Sequence, residues 1–136
     1  MATNQQIIDR ALYELGFHES GASANATDSG DALNALNDMM AEWRERSMDL
    51  NWFVQDTLSD TTPIPEWAQS GVISNLAVEC SAVFNIALSQ ATALKADRGR
   101  RTIGNTMISQ TLDNADMSHL PYGDGRLSRY DIETDA

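Results

Sequence analysis

The chain has 136 residues, of which 42% are hydrophobic and 7% aromatic, and its formal net charge is −11. This length fits one domain with its own core. The sequence has no run of about 18 apolar residues and no basic, apolar leader, so we expect neither a membrane span nor a signal peptide. The strong acidity argues against binding of duplex DNA by neutralisation of its phosphates.

The charge is unevenly distributed along the chain. Residues 1–94 carry 13 acidic and 3 basic side chains, a balance of −10, whereas residues 95–136 carry 7 and 6, a balance of −1. Ordinary solubility explains such a surplus of carboxylates. A second explanation is a negatively charged channel wall, which repels DNA and lets it slide without binding.

The first predicted helix covers residues 3–15. Thr3 occupies the N-cap position, and Gly16 follows the last apolar position as a stop signal. The predicted buried face of this helix consists of Ile7, Ile8, Ala11, Leu12 and Leu15.

The second predicted helix, residues 29–47, has the clearest amphipathic pattern in the chain. Asp28 or Ser29 stands where an N-cap is expected, and Arg44 and Arg46 lie near the other end, in agreement with the helix dipole. The apolar stripe consists of Leu33, Leu36, Met40 and Trp43, with Ala32, Ala35 and Met39 beside it.

A polar, turn-rich connection follows, in which three large residues are adjacent: Trp52, Phe53 and Val54. Three consecutive side chains cannot all face one core. They either cap the helix bundle or leave some members exposed for a partner.

The third predicted helix starts with Pro65 as its first residue and continues to Val83. We expect it to form the centre of the core, with Trp67, Ile73, Leu76, Cys80 and Val83 on its apolar positions. Cys80 is the sole cysteine, and we interpret it as a small core residue in a reducing cytoplasm. A nucleophilic role would need a histidine partner.

The fourth predicted helix begins near Ile86 or Ser89 and ends near Leu112. Its middle, residues 95–104, has one large apolar residue and two glycines, and each glycine costs up to about 1 kcal/mol in a helix interior. We therefore expect this helix to project beyond its own core and to meet a neighbouring chain.

Four basic residues mark this helix. Lys95, Arg98 and Arg101 share one face, and Arg100 lies to the side. Three interpretations stay open: a solvated stripe, ion pairs with an acidic face of an adjacent subunit, or contacts with DNA phosphates. No aromatic residues alternate with the basic ones, which disfavours nucleic acid.

Residues 113–136 have neither a helical nor a strand period, so we predict an extended C-terminal arm beside a helical core of residues 1–112. The arm carries more large side chains than a passive tail usually does, which favours binding along a partner. Its candidate binding residues are Met117, Leu120, Pro121, Tyr122, Arg126, Leu127, Arg129 and Tyr130.

The order of these elements resembles the head-to-tail adaptor proteins of short-tailed phages, also called tail accessory factors or packaged-DNA stabilisation proteins. The shared pattern is the helix ending in MMAEW at residues 33–43, a hydrophobic loop, and an NLA core at residues 75–77. The likeness covers residues 5–112. A proline that often ends the third helix in that family is absent here, which leaves the boundary between the third and fourth helices open.

The resemblance implies an all-α protein of about four helices in a small bundle, with a long fourth helix and an extended C-terminal arm. It further implies a structural virion protein at the head–tail junction, assembled in the host cytoplasm. Twelve copies would form a ring under the portal, extend the DNA channel, retain packaged DNA and hold a tail nozzle or hub protein. The arm would bind the portal and neighbouring subunits, and DNA would pass without specific binding.

Motifs of enzymes and metal sites are missing from the sequence, so we expect no catalytic residue, cofactor or metal. Any two acids can meet in space as a glycosidase pair, and the candidates are Glu14, Glu19, Glu42 and Glu66. Two alternatives to an adaptor therefore stay open. They are a peptidoglycan-degrading glycoside hydrolase acting in phage entry, and a small acidic helical regulator.

Overall fold

A computed structural model of the chain describes residues 1–19, 21 and 23–114. These residues form four helices and no strand: α1 (Asn4–Leu15), α2 (Ala26–Glu45), α3 (Glu66–Val83) and α4 (Gln90–Asp113). The predicted all-α fold is confirmed. None of these four helices combines the length and the apolar character that crossing a membrane requires.

Helix α3 lies at the centre of the bundle, because it packs against α1, α2 and α4. Its interior residues are fully buried, among them Ile73, Leu76 and Cys80. This confirms the predicted centre of the core. Trp67 and Val83, which were placed on the same apolar face, are about half exposed near the two ends of the helix.

Helix α1 is bounded by the residues that the sequence predicts. Thr3 and Gln6 form a capping box, in which the Thr3 side chain accepts from the Gln6 backbone and the Gln6 side chain accepts from the Thr3 backbone. Gly16 has a φ of 85°, and the next N–H, that of Phe17, returns to Leu12 O at 2.9 Å. All five residues of the predicted buried face are buried.

Helix α2 starts earlier than predicted. Asn25 is its N-cap and accepts a hydrogen bond from the Asp28 backbone N–H at 2.8 Å, so the prediction of Asp28 or Ser29 was wrong. Ser29 is instead buried inside the helix, where its hydroxyl accepts from Gln5 Nε2 at 3.1 Å. The predicted stripe of four large residues is buried as expected.

The boundary between α3 and α4 depends on Asn85 rather than on a proline. Asn85 adopts a left-handed φ of 53°, and the following Ile86 N–H donates to Ser81 O at 3.0 Å. This Schellman-type end terminates α3. Ser89 then caps α4 by accepting from Thr92 N, which selects the later of the two predicted starts. At the other end of α3, Pro65 is the N-cap rather than the first helical residue.

The connection between α2 and α3 splits its three large residues. Trp52 is buried against the bundle, whereas Phe53 and Val54 are 64% and 69% exposed. Asn37 of α2 holds this segment: its Oδ1 accepts from Trp52 Nε1 and Gln55 N, and its Nδ2 donates to Gln55 O. Trp52 therefore packs on the bundle as one expectation had it, while binding of a partner by the exposed Phe53 and Val54 stays a prediction.

The middle of α4 packs tightly on α3, and the expectation that it projects was wrong. A Cβ built on Gly99 would lie 2.6 Å from the Cα of Gly71, so the two backbones touch at this crossing. Ile103 is buried one turn further along. Gly71 and Gly99 weaken the helix propensity of α3 and α4, but because they have no side chains the two backbones can approach closely. Only the last turns project, where Ile108 and Leu112 are 60% and 66% exposed.

Candidate subunit interface

The solvent side of α4 carries a continuous stripe of exposed residues. Positions 94, 98, 101, 105, 108 and 112 recur at steps of four and three, which places them on one helical face. That face lies opposite the one that buries Ala96 and Ile103 against α3. We call it the α4 outer stripe, and its members are Leu94, Arg98, Arg101, Asn105, Ile108 and Leu112.

Among the described residues, the ion pairs of the α4 arginines stay within their own helix. Arg101 pairs with Asp97 at 3.0 Å, and Arg100 approaches the same carboxylate at 4.0 Å. Arg98 makes no ion pair with any carboxylate among the described residues. Exposed pairs of this kind contribute little free energy. The guanidinium groups are therefore accessible to another molecule.

Lys95 differs from the arginines, with which the sequence groups it. Its ammonium group pairs with Glu14 of α1, and the other Glu14 oxygen accepts from the Ser74 hydroxyl at 3.0 Å. Lys95 thus ties α4 to α1 within one chain. A contact of Lys95 with a neighbouring subunit stays a prediction, and such a contact would compete with this internal pair.

A second exposed apolar feature lies at Phe53 and Val54. The backbone on either side is fixed to α2, since Trp52 O accepts from the Arg44 guanidinium and Gln55 is bound by Asn37. The two side chains are therefore presented on an anchored segment. Spacing alone could not show which of the three adjacent large residues faces solvent.

The single cysteine is unsuited to nucleophilic chemistry. Cys80 is fully buried on α3, and this burial, together with the charge of Glu79, raises the pKa of its thiol from 9.0 to about 12. A thiol with so high a pKa is almost entirely protonated at neutral pH. The structure thus agrees with the interpretation of Cys80 as a core residue.

The four candidate carboxylates lie on separate elements. Glu14 is paired with Lys95, Glu42 pairs with Arg46 at 2.7 Å on α2, Glu66 is in the first turn of α3, and Glu19 is in the connection before α2. Within residues 1–19, 21 and 23–114, no group of His, Cys, Asp and Glu is arranged to hold a metal ion.

The eight candidate residues of the arm all lie beyond residue 114 and so outside the described part of the chain. Their role in binding, and the boundary between core and arm at residue 112, stay predictions. Of the candidate binding residues, the described part of the chain contains the basic residues of α4.

The family model of the P22 tail accessory factor matches residues 3–135. The match includes all four helices and continues well past residue 112, where the sequence likeness was expected to end, so it also spans the arm. No curated protein matches the chain.

Proposed function

Because the chain belongs to the P22 tail accessory factor family, we propose that it acts as a head-to-tail adaptor. Membership makes it a structural tail component of a short-tailed phage and indicates a non-enzymatic role. In the proposed role, twelve copies form a ring under the portal at the head–tail junction of the virion. The ring assembles in the host cytoplasm, extends the DNA channel, retains packaged DNA and holds a tail nozzle or hub protein.

The observation that carries this proposal is that the family model matches almost the whole chain, residues 3–135. This match joins the helical bundle and residues 115–135 in one pattern. An adaptor needs both parts, because a folded body spaces the subunits and an arm connects them to another ring. We propose that the arm residues Met117 to Tyr130 bind the portal and neighbouring copies.

Multivalency makes weak arm contacts sufficient. A single arm that orders itself on binding loses conformational entropy and so binds with modest affinity. Once one copy is held, its neighbours bind at high effective concentration. Many such arms would therefore lock the ring to the portal without any catalytic step.

We propose that the basic residues of α4, Lys95, Arg98, Arg100 and Arg101, make contacts between subunits. Arg98, Arg100 and Arg101 are exposed, and among the described residues Arg100 and Arg101 form weak pairs with Asp97 of their own helix, while Arg98 forms none. Charged pairs at an interface set register and orientation more than they add affinity. The net charge of −11 supports a channel through which DNA passes without specific binding.

Sedimentation with purified portal rings tests the proposal. We expect the full-length chain to move with the portal and to saturate at about one copy per portal subunit, since effective concentration favours complete rings. A chain that sediments alone at every ratio of the two proteins would refute the adaptor role.

A further inference from the structure

The exposed face of α2 is acidic along most of its length. It lies opposite the buried stripe of Leu33, Leu36 and Met40, and all its members are exposed. Asp31, Asp38 and Glu45 make no ion pair with a described base, while Glu42 pairs with Arg46. We call this face the α2 outer stripe, and its members are Asp31, Asn34, Asp38, Ala41, Glu42 and Glu45.

The α4 outer stripe has the opposite charge and exposed apolar ends. Arg98 and Arg101 occupy its middle, Leu94 lies at one end, and Ile108 and Leu112 lie at the other. Three large apolar side chains on one exposed helical face are typical of an interface rather than of scattered surface leucines.

A single copy cannot bring its own two stripes together. Both α2 and α4 pack against α3, and each outer stripe faces away from the residues that make this packing. A second copy can supply the missing partner. At 1.5 Å per residue, the stripes extend over roughly 21 Å on α2 and roughly 27 Å on α4, so their lengths are comparable.

We propose that the α4 outer stripe of one copy docks on the α2 outer stripe of the next copy. This inference rests on the proposed ring and names the two surfaces that would close it. Such a contact joins two different faces, so repetition produces a ring or a filament rather than a closed dimer. The charges also disfavour the alternatives, because pairing α2 with α2 or α4 with α4 would bring like charges together.

Cysteine cross-linking tests which faces meet. Ala41 and Asn105 are exposed members of the two stripes, and the natural Cys80 is buried. We expect the doubly substituted full-length chain, A41C/N105C, to give a ladder of dimers, trimers and larger species with a flexible bismaleimide, alone or on portal rings. Each single variant is the matched control and is expected to stay monomeric, because its one exposed thiol meets no second exposed thiol.

Charge exchange tests the basis of the recognition. In the A41C/N105C background, the additional changes R98E/R101E make both stripes acidic, and D31K/D38K/E45K make both basic while keeping the Glu42–Arg46 pair. We expect the yield of cross-linked species to fall by about tenfold or more for each variant alone. An equal mixture of the two variants should restore the yield, because oppositely charged stripes again alternate. The control E66K/E79K reverses the charge of two exposed acidic residues of α3 and is expected to keep the ladder.

Several outcomes would overturn the docking. They are dimers from A41C or N105C alone, charge variants that cross-link like their parent, a mixture that stays monomeric, and a parent that does not cross-link even on portal rings. A ladder that appears only after removal of residues 117–136 would show that the arm of the same chain covers the stripe. Loss of the ladder on addition of duplex DNA would assign the arginines to phosphates.

The same experiment separates this inference from the adaptor role. If the chain joins portal rings but the two cysteines never cross-link there, the ring stands and this interface is wrong. If the ladder forms and obeys charge exchange while portal binding fails, the interface stands and the adaptor role is wrong.

Discussion

Asn37 joins α2 to the connection that follows it through three hydrogen bonds of 2.9 to 3.1 Å, one to the Trp52 indole and two to the Gln55 backbone. Asn37→Ala removes all three bonds. The indole N–H of Trp52 and the backbone groups of Gln55 then lack hydrogen-bond partners. Both residues are buried, so water does not replace the lost bonds easily. We expect the free energy of unfolding to fall by about 2 to 4 kcal/mol, measured by urea denaturation.

Asn34→Ala is the matched control for this prediction, because Asn34 is exposed on the same helix. Its effect is expected to stay within about 0.5 kcal/mol. Equal stabilities of the two variants would show that Asn37 does not position the connection.

The buried thiol of Cys80 gives a prediction about pH. Its pKa is raised to about 12 from 9.0, so the folded protein binds this proton more tightly than the unfolded chain does. The resulting stabilisation is complete below pH 9.0 and is lost as the pH rises towards 12. At pH 9, a thiol of that pKa is ionised in only about one molecule per thousand.

Alkylation by iodoacetamide therefore should be slow in the folded protein at pH 9 and fast in concentrated urea. The reaction is followed by mass spectrometry, and the denatured sample serves as the control. Similar rates in the two conditions would mean that Cys80 is accessible and is not a core residue.

At the scale of the helices, the crossing of α3 and α4 depends on Gly99 and Gly71. In Gly99→Ala, the new Cβ would lie 2.6 Å from the backbone of Gly71, which no side-chain rotation can relieve. We expect the helices to separate and the free energy of unfolding to fall by about 2 kcal/mol or more, as in other overpacked cores. Thermal unfolding followed by circular dichroism measures the loss.

Gly104→Ala is a sharp control, since its Cβ would meet only the Met48 sulfur at 3.5 Å, an ordinary contact. Alanine is the better helix former, so stability should stay equal or rise by up to about 1 kcal/mol. A Gly99→Ala protein as stable as the Gly104→Ala protein would contradict the backbone contact.

The elements that the sequence predicts well are those set by local signals. Thr3, Gly16 and the stripe from Leu33 to Trp43 depend only on neighbours within a few turns, and the structure has them as predicted. The start of α2 was harder, because Asn25, Asp28 and Ser29 can each cap a helix and the choice depends on burial of Ser29 against α1.

Long-range contacts explain the error about the middle of α4 and the internal pair of Lys95, which the sequence did not predict. The spacing of the arginines correctly predicts one exposed face. The internal role of Lys95 depends on Glu14, which is 81 residues away in the sequence. The packing of Gly99 on Gly71 is likewise a contact between two helices, and a single sequence carries no signal for it.

At the scale of the whole molecule, we propose that the helical core folds without the C-terminal arm. The described core cluster and the hydrophobic residues packed against it all lie before residue 108. We therefore expect deletion of residues 117–136 to leave a helical protein that unfolds cooperatively at nearly the same temperature. The same protein should no longer sediment with portal rings, because the arm residues are gone.

A shorter deletion, of residues 131–136, is the control, since it keeps all eight candidate residues of the arm. It should retain portal binding. If removal of residues 117–136 left binding unchanged, the arm would have no role in attachment, even though the core could still form a ring.

Electron microscopy of the full-length chain bound to purified portal is the most direct test of the adaptor role. The account predicts a continuous ring of copies beneath the portal, with residues 117–130 of each copy lying on the portal or on a neighbour. Solitary compact subunits, whose last residues pack on their own helices and touch no other chain, would contradict it.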